Sequence, residues 1–146
     1  MTLLLPADNN TNLQRGFMIT FLYAAILALL LIWLIIKVVK ARLANQVKLG
    51  DGGVEELISA RSAHSNACET IPITLILLLG LEFNGASVLL IHLCAIVFVI
   101  ARILHAQGVL TDILKIRKLG MQLTLLIMLA LVVLNIVYLP YDQLLP

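Results

Sequence analysis

Long apolar runs separated by short polar connectors make up most of the chain. About 20 apolar residues in a helix are enough to cross the hydrocarbon core of a bilayer. The runs predict four membrane-spanning helices at about 17–40, 56–83, 86–106 and 112–139, within one domain that covers residues 1–146. The pattern therefore predicts an all-α integral membrane protein, a four-transmembrane-helix bundle.

The connectors carry residues that favour turns. Glycines and an aspartate occupy positions 50–53, Asn-Gly occupies 84–85, and a further glycine follows Gln107. Asp112 is expected to begin the fourth helix. Pro72 lies inside the second predicted helix, where neighbouring helices can satisfy the backbone carbonyl that proline leaves free.

Composition and charge support a membrane protein and argue against nucleic-acid binding. Hydrophobic residues make up 62% of the chain and charged residues 12%, whereas soluble domains have about a quarter charged residues. The formal net charge is only +2, too small for a basic nucleic-acid surface. Four spans would place nine of the ten basic residues on the side of the first and third connectors, opposite Arg15: Lys37, Lys40, Arg42, Lys48, Arg61, Arg102, Lys115, Arg117 and Lys118. The positive-inside rule then predicts cytoplasmic connectors and both termini outside.

The second helix carries a polar site at one end. Its first half contains Arg61, His64, Asn66 and Glu69, while its second half is apolar. At 100° per residue, Asn66 and Glu69 share one helix face with Ser62. Ionisable residues at membrane depth are costly and usually face a bundle interior or a cavity. We therefore expect this face to be functional.

Basic groups from two other helix ends should meet this face. Arg102 and His105 lie at the end of the third helix, and Arg117 lies near the start of the fourth between Lys115 and Lys118. Arginine binds carboxylates through two parallel hydrogen bonds, and a cationic site favours a thiolate. Glutamate and asparagine can accept hydrogen bonds from an ammonium group. Glutathione contains carboxylates, an ammonium and a thiol, so it suits the expected pocket.

The segments RSAHSNACETIP, LLLGLEFNG and ARILHAQG resemble the superfamily of membrane-associated proteins in eicosanoid and glutathione metabolism (MAPEG), closest to its small bacterial inner-membrane branch. The spacing of Asn66, Glu69 and Pro72 is the most specific part of the resemblance. The resemblance implies a homotrimer, with glutathione as co-substrate between subunits near the cytoplasmic face.

The resemblance also implies roles for individual residues. Asn66 and Glu69 match family glutathione contacts, and Arg102 matches an arginine of the third helix. A thiolate-stabilising arginine is expected near Ile116, where the sequence offers Lys115 or Arg117, and we assign that catalytic role to Arg117. The complete set of expected glutathione contacts is Arg42, Arg61, His64, Asn66, Glu69, Arg102 and His105.

The sequence predicts a glutathione-dependent transferase or peroxidase that acts on a lipophilic electrophile, with no metal site. Other interpretations stay open. Asn66 and Glu69 can hold helices together, Arg61 and Arg102 can extend to lipid headgroups, and the basic start of the fourth helix can bind anionic lipids. The protein would then be a non-catalytic lipid-binding or scaffold protein of the same fold.

Four further residues receive structural interpretations. His92, in the middle of the third span, is expected to be a packed histidine bonded to a neighbour. Glu82, at the opposite membrane face, is expected to be solvated. Cys68 and Cys94 are expected to be small buried thiols without a disulfide.

Overall fold

The computed structural model describes residues 18–141, which form four long α-helices. They are α1 (Met18–Ala44), α2 (Glu55–Phe83), α3 (Val88–Leu110) and α4 (Leu114–Val137). Each helix is long and apolar enough to cross a membrane, which confirms the predicted all-α fold with four spans. Residues 1–17 and 142–146, including Arg15 and the expected start of the first span, lie outside the described range.

Helix α1 continues past its apolar run and ends in a left-handed cap. Gln46 has a φ of 54°, the Gln46 amide donates to the Leu43 carbonyl at 3.4 Å, and the Val47 amide donates to the Arg42 carbonyl at 3.1 Å. These two bonds are the pair that defines a Schellman motif. With 27 residues, α1 is about 40 Å long, so its basic last turns extend beyond a hydrocarbon core of about 30 Å.

The turn between α3 and α4 differs from the expectation for Asp112. Asp112 has a φ of 54° and precedes α4, whose first helical residue is Leu114. An aspartate adopts the left-handed conformation more readily than most residues, because its short side chain can bond locally. Asp112 therefore shapes the turn rather than starting the helix.

Helix α2 is continuous through Pro72. Threonines on either side of the proline bond to backbone carbonyls one turn earlier: the Thr70 hydroxyl donates to the Asn66 carbonyl and the Thr74 hydroxyl to the Thr70 carbonyl, each at 2.8 Å. Neither bond reaches the Cys68 carbonyl, which is the acceptor that loses its amide donor at Pro72.

Helices α2 and α3 form the centre of the bundle. Helix α1 packs against both of them, and so does α4, whereas α1 and α4 do not approach each other within residues 18–141. The interior contains fully buried aliphatic and aromatic side chains from all four helices, among them Leu27, Leu34, Leu78, Leu81, Phe98 and Leu131. Apolar side chains also cover the outside, as expected for surfaces that face lipid.

Reciprocal glycine contacts bring α3 and α4 together at the end of the bundle that carries the first and third connectors, which we call the connector end. A Cβ atom on Gly108 would lie 2.3 Å from the Arg117 amide nitrogen, and one on Gly120 would lie 2.3 Å from the His105 amide nitrogen. Small residues let membrane helices approach closely in this way. The contact fixes the register of His105 against Arg117.

The expectation that Glu82 is solvated is wrong. Glu82 is only 5% exposed, and its carboxylate accepts hydrogen bonds from the Ile19 amide at 3.1 Å, the Thr20 amide at 2.9 Å and the Thr20 hydroxyl. The first amides of a helix have no intrahelical acceptor, and the N-terminus favours a negative charge. The carboxylate of α2 therefore caps α1.

The packed role of His92 is confirmed, because its Nδ1 atom lies 2.8 Å from the hydroxyl of Tyr23. The two cysteines are both free, but only Cys94 is buried. Cys68 is exposed on α2, beside His64, so the expectation of two buried thiols is wrong for Cys68.

Candidate functional site

A cavity of about 340 Å³ opens between α2, α3 and α4 at the connector end of the bundle. We call it the interhelical cavity. Each of the three helices contributes side chains at helical spacing, and the lining residues are Ser62, Asn66, His105, Val109, Leu114, Arg117, Lys118 and Met121. The ends of the three helices meet at one cavity, as the sequence predicts, but the carboxylate of Glu69 does not belong to it.

The spacing of residues within each helix explains why these side chains meet. Ser62 and Asn66 are four residues apart on α2, and His105 and Val109 are four apart on α3. Residues at this spacing lie one above the other on the same helix face. The close glycine contact between α3 and α4 then sets the Arg117 turn against the His105 turn.

Arg102 lies behind the interhelical cavity, with its side chain completely buried. Its Nη2 atom donates to Asn66 Oδ1 at 2.8 Å, and its Nη1 atom lies 3.5 Å from Thr124 Oγ1. Its Nε atom has no hydrogen-bond partner within the described residues. Both acceptors are neutral, so the described part of the chain surrounds this cation without a paired carboxylate.

His105 is 5% exposed, and its ring bonds to the backbone of α4. The Nδ1 atom lies 3.2 Å from the carbonyl oxygen of Arg117. A carbonyl oxygen only accepts hydrogen bonds, so Nδ1 must carry the proton. In the neutral ring, Nε2 then keeps a free lone pair, and His105 can offer an acceptor to a molecule in the cavity that it lines.

The interhelical cavity is electrostatically positive. Arg117 and Lys118 both line it, both are exposed, and no acidic side chain belongs to its lining. Arg102 adds a third cation directly behind Asn66. Such a surface favours an anion, because two cations and an amide face the same volume.

Glu69 lies outside the interhelical cavity, on the exposed face of α2. Its carboxylate accepts a hydrogen bond from the Ser65 hydroxyl at 3.0 Å. Arg61 is also exposed, at 44% of its side-chain surface, and pairs with Asp51 of the preceding connector at 3.2 Å. The helix face that periodicity predicts for these polar residues is therefore divided: Asn66 is turned towards the bundle interior and Glu69 is turned outwards.

His64 and Arg42 also lie away from the interhelical cavity within one chain. His64 is half-buried, with Nε2 at 3.6 Å from the Cys68 sulfur. Arg42 lies beside a separate apolar cleft of about 550 Å³ at the end of α1, which Lys48 also lines. The guanidinium of Arg42 lies 3.5 Å from the Val47 carbonyl oxygen. The structure therefore groups Asn66, Arg102, His105 and Arg117, and leaves the other four candidates on the outer surface of the bundle.

Sequence reasoning missed Thr124, which helps to hold Arg102, and Met121, which closes one wall of the cavity. Both lie on the Arg117 face of α4 at spacings of three or four residues. That periodicity is visible in the sequence. A threonine within an apolar run, one or two turns from a basic residue, could have pointed to Thr124.

Comparison with known proteins agrees with this architecture. The MAPEG family profile matches residues 20–137, which include all of the candidate residues. The chain is 39% identical over 125 residues to inner membrane protein YecN of Escherichia coli strain K12, covering 86% of this chain and 95% of the relative. The protein of the same name from Escherichia coli O6:H1 strain CFT073 matches to the same extent. Because the match includes all four helices and most of both chains, this protein belongs to the MAPEG family.

Proposed function

We propose that this protein is a membrane-bound, glutathione-dependent transferase or peroxidase that acts on a lipophilic electrophile. The observation that supports the proposal best is the interhelical cavity, which presents Asn66, His105 and two cations without any lining acid. Glutathione brings two carboxylates to such a surface, and MAPEG membership is consistent with a glutathione-related role.

The exposed position of Glu69 supports a subunit interface. Glu69 and Ser65 lie on the outer face of α2, between the exposed apolar residues Ile58 and Ile76. A carboxylate facing lipid is costly, and covering it with a second copy of the chain would remove that cost. We propose a homotrimer in which a neighbouring subunit covers this face and brings Arg42, Arg61 or His64 towards the bound glutathione.

The proposed chemistry needs a thiolate and a nearby cation. His105 Nε2 or water accepts the thiol proton, and Arg117 stabilises the sulfur anion. In a transferase reaction, the sulfur forms a bond to an electrophilic carbon, and the leaving group departs with the bonding electrons. In a peroxidase reaction, the thiolate attacks the terminal oxygen of a lipid hydroperoxide, the O–O bond breaks, and the lipid alkoxide leaves and takes up the thiol proton as the alcohol. The sulfur is thereby oxidised to a sulfenic acid. The thiol of a second glutathione then attacks that sulfur, forms the disulfide and releases the hydroxyl as water.

The positions of the basic residues support a cytoplasmic location for this site. The ends of α1 and α3, the starts of α2 and α4 and the connector between α1 and α2 carry the basic residues of the described chain. We propose that this face is cytoplasmic and that both termini lie outside. The inner-membrane relatives support a bacterial inner membrane as the location.

Calorimetric titration of the purified protein with glutathione tests the proposal. Wild type should bind at millimolar concentration or below, and Glu69→Gln should weaken binding by about tenfold, as expected for a lost charged contact. Glu56→Gln, an exposed change on the first turn of the same helix, is the matched control and should bind as wild type does. Absence of binding by the wild type would refute the proposal. Where binding is found, turnover of a general electrophile tests for catalysis.

A lipid-binding or scaffold role is the second candidate, favoured by the apolar cleft beside Arg42 and Lys48. A cationic rim on an apolar cleft near a helix end suits the phosphate and acyl chain of an anionic phospholipid. Co-purified lipid would be measured by mass spectrometry of wild type and of an Arg42→Gln, Lys48→Gln double variant. Retention of phosphatidylglycerol by wild type alone, without glutathione binding, would favour this role over catalysis.

A further inference from the structure

A second polar cavity, of about 330 Å³, opens at the connector end where α1, α2 and α3 meet. We call it the α1-side cavity. It is distinct from the interhelical cavity, because it includes α1 instead of α4 and the two cavities share no lining residue. The residues that line it are Lys37, Glu55, Glu56, Ser59, Ala60 and Leu110.

Charges of both signs line the α1-side cavity without pairing. Lys37 comes from α1, and Glu55 and Glu56 form the first turn of α2. Within residues 18–141, the only ion pair joins Arg61 and Asp51, so these three charges have no oppositely charged partner. One ammonium and two carboxylates therefore border the same volume while they remain apart. A molecule with an anion and a cation a short distance apart complements both sides of such a cavity.

The donors and acceptors of the cavity indicate the chemistry of that molecule. Lysine and serine can donate to a phosphate, and Ser59 lies on the same face of α2 as Glu55, four residues earlier. Ionised glutamates only accept hydrogen bonds, so they favour a group with N–H donors. A phosphate joined to a primary ammonium meets both requirements.

Apolar side chains continue from the cavity towards the membrane core. On α1, the half-buried Trp33 lies one turn before Lys37, whose Nζ atom is 5.5 Å from the centre of the indole ring. On α3, Leu110 is the last helical residue, and the exposed Ile103 lies seven residues earlier on the same face. Indole rings are enriched at membrane interfaces. A ligand with acyl chains fits this continuation better than a soluble one does.

We propose that the α1-side cavity binds the headgroup of phosphatidylethanolamine. Lys37 and Ser59 hold the phosphate, Glu55 and Glu56 hold the ammonium, and the acyl chains lie along α1 and α3. The site differs from the apolar cleft at the end of α1, whose lining has cations but no acid and suits an anionic lipid. It does not depend on glutathione binding.

Three phospholipids with the same dioleoyl chains test the wild-type protein. Binding to the detergent-solubilised protein is titrated by native mass spectrometry. Phosphatidylethanolamine should bind about tenfold more tightly than phosphatidylcholine, whose trimethylated ammonium has no N–H donor for the carboxylates. It should exceed phosphatidylglycerol by a similar factor, because that headgroup has no cation. Equal binding of the three lipids would overturn the proposal.

Variants of the two glutamates test their contact with the ammonium. The Glu55→Gln, Glu56→Gln double variant should bind phosphatidylethanolamine and phosphatidylcholine equally. The Glu55→Lys, Glu56→Lys double variant should prefer phosphatidylglycerol, a reversal that a misfolded protein would not give. Asp112→Asn removes an exposed acid outside the cavity and is the matched control, with the wild-type preference. A wild-type preference in both double variants would contradict the assignment.

Lys37→Gln tests the phosphate contact. It should weaken phosphatidylethanolamine binding by about tenfold, whereas Lys40→Gln, an exposed change on α1 outside the cavity, should not. Equal affinities of these two variants would refute the role of Lys37. The Arg42→Gln, Lys48→Gln double variant should retain the preference for phosphatidylethanolamine, and its loss would place the lipid in the apolar cleft instead.

Free phosphoethanolamine distinguishes a lipid from a soluble ligand. It carries the same phosphate and ammonium without acyl chains, so it should not displace the bound lipid at millimolar concentration. Displacement at the concentration at which the lipid itself binds would overturn the lipid as the occupant of the α1-side cavity.

Discussion

Replacing Glu82 with alanine is expected to destabilise the bundle strongly at the end where α2 meets the start of α1. The substitution leaves three donors of the first turn of α1 without their acceptor: the amides of Ile19 and Thr20 and the Thr20 hydroxyl. A buried donor without a partner costs roughly 1–3 kcal/mol, and part of the total is offset because the carboxylate no longer has to be desolvated. We expect a loss of about 3–5 kcal/mol in the free energy of unfolding.

Two matched variants separate the contributions. Thr20→Val removes only the hydroxyl bond and leaves both amide bonds to Glu82, so it should cost about 1 kcal/mol. Glu82→Gln keeps one acceptor oxygen but places an amino group against the remaining donors, so it should lie between the other two, near about 2 kcal/mol. This order follows from the number of donors that each change leaves unsatisfied.

Unfolding in mixed micelles of increasing sodium dodecyl sulfate fraction, followed by far-ultraviolet circular dichroism, gives the required free energies. A double-mutant cycle between Thr20→Val and Glu82→Ala isolates the hydroxyl contact. If Glu82→Ala costs no more than Thr20→Val, the carboxylate does not cap α1, and the account of this end of the bundle is wrong.

Three further predictions concern the helix contacts and the surface. Gly120→Ala should destabilise the protein by about 1–3 kcal/mol in the same unfolding assay, because its Cβ would overlap the His105 backbone. Ser65→Ala, on the exposed face of α2, is the control and should have little effect on stability. Asn135→Ala should cost about 1 kcal/mol by removing the donor to the Leu77 carbonyl, and an unchanged stability would contradict the interhelical bond. Arg61→Ala should change stability by less than about 1 kcal/mol, because its partner Asp51 is exposed, so any large loss of glutathione binding by this variant would reflect ligand contact.

The helices were predictable because their signal is local. An uninterrupted apolar run of sufficient length determines a span without reference to any other part of the chain, and all four spans are confirmed. The helix ends were less predictable. Helix α1 extends to Ala44 because a helix can continue into the polar region beyond the bilayer core, which hydropathy does not register.

The candidate site was only partly predictable, because it depends on which helix faces which. Periodicity placed Asn66 and Glu69 on one face, but their directions differ by about 60° around the helix axis, as the 100° spacing implies. That difference is enough for Asn66 to meet Arg102 while Glu69 remains exposed. The register between α2 and α3 decides which of the two side chains meets Arg102, and no local sequence pattern specifies that register.

Glu82 illustrates the same limit at the other end of the bundle. Its partners in α1 lie 62 and 63 residues away in sequence, and an acid near a helix C-terminus gives no local sign that it caps another helix. His92 was predictable because a histidine in the middle of a span has few alternatives to a bonded, packed position. Its bond to Tyr23 agrees with that reasoning.

Two charges, Arg102 of α3 and Glu69 of α2, lack an opposite charge within the described chain. Arg102 is buried against neutral acceptors, and Glu69 is exposed with only the Ser65 hydroxyl as its partner. A neutral lipid tail would leave both charges uncompensated. A ligand that carries both a carboxylate and an ammonium group would compensate both. The proposed assembly fits this requirement, because a second subunit over the exposed face would enclose such a ligand instead of leaving it in contact with lipid.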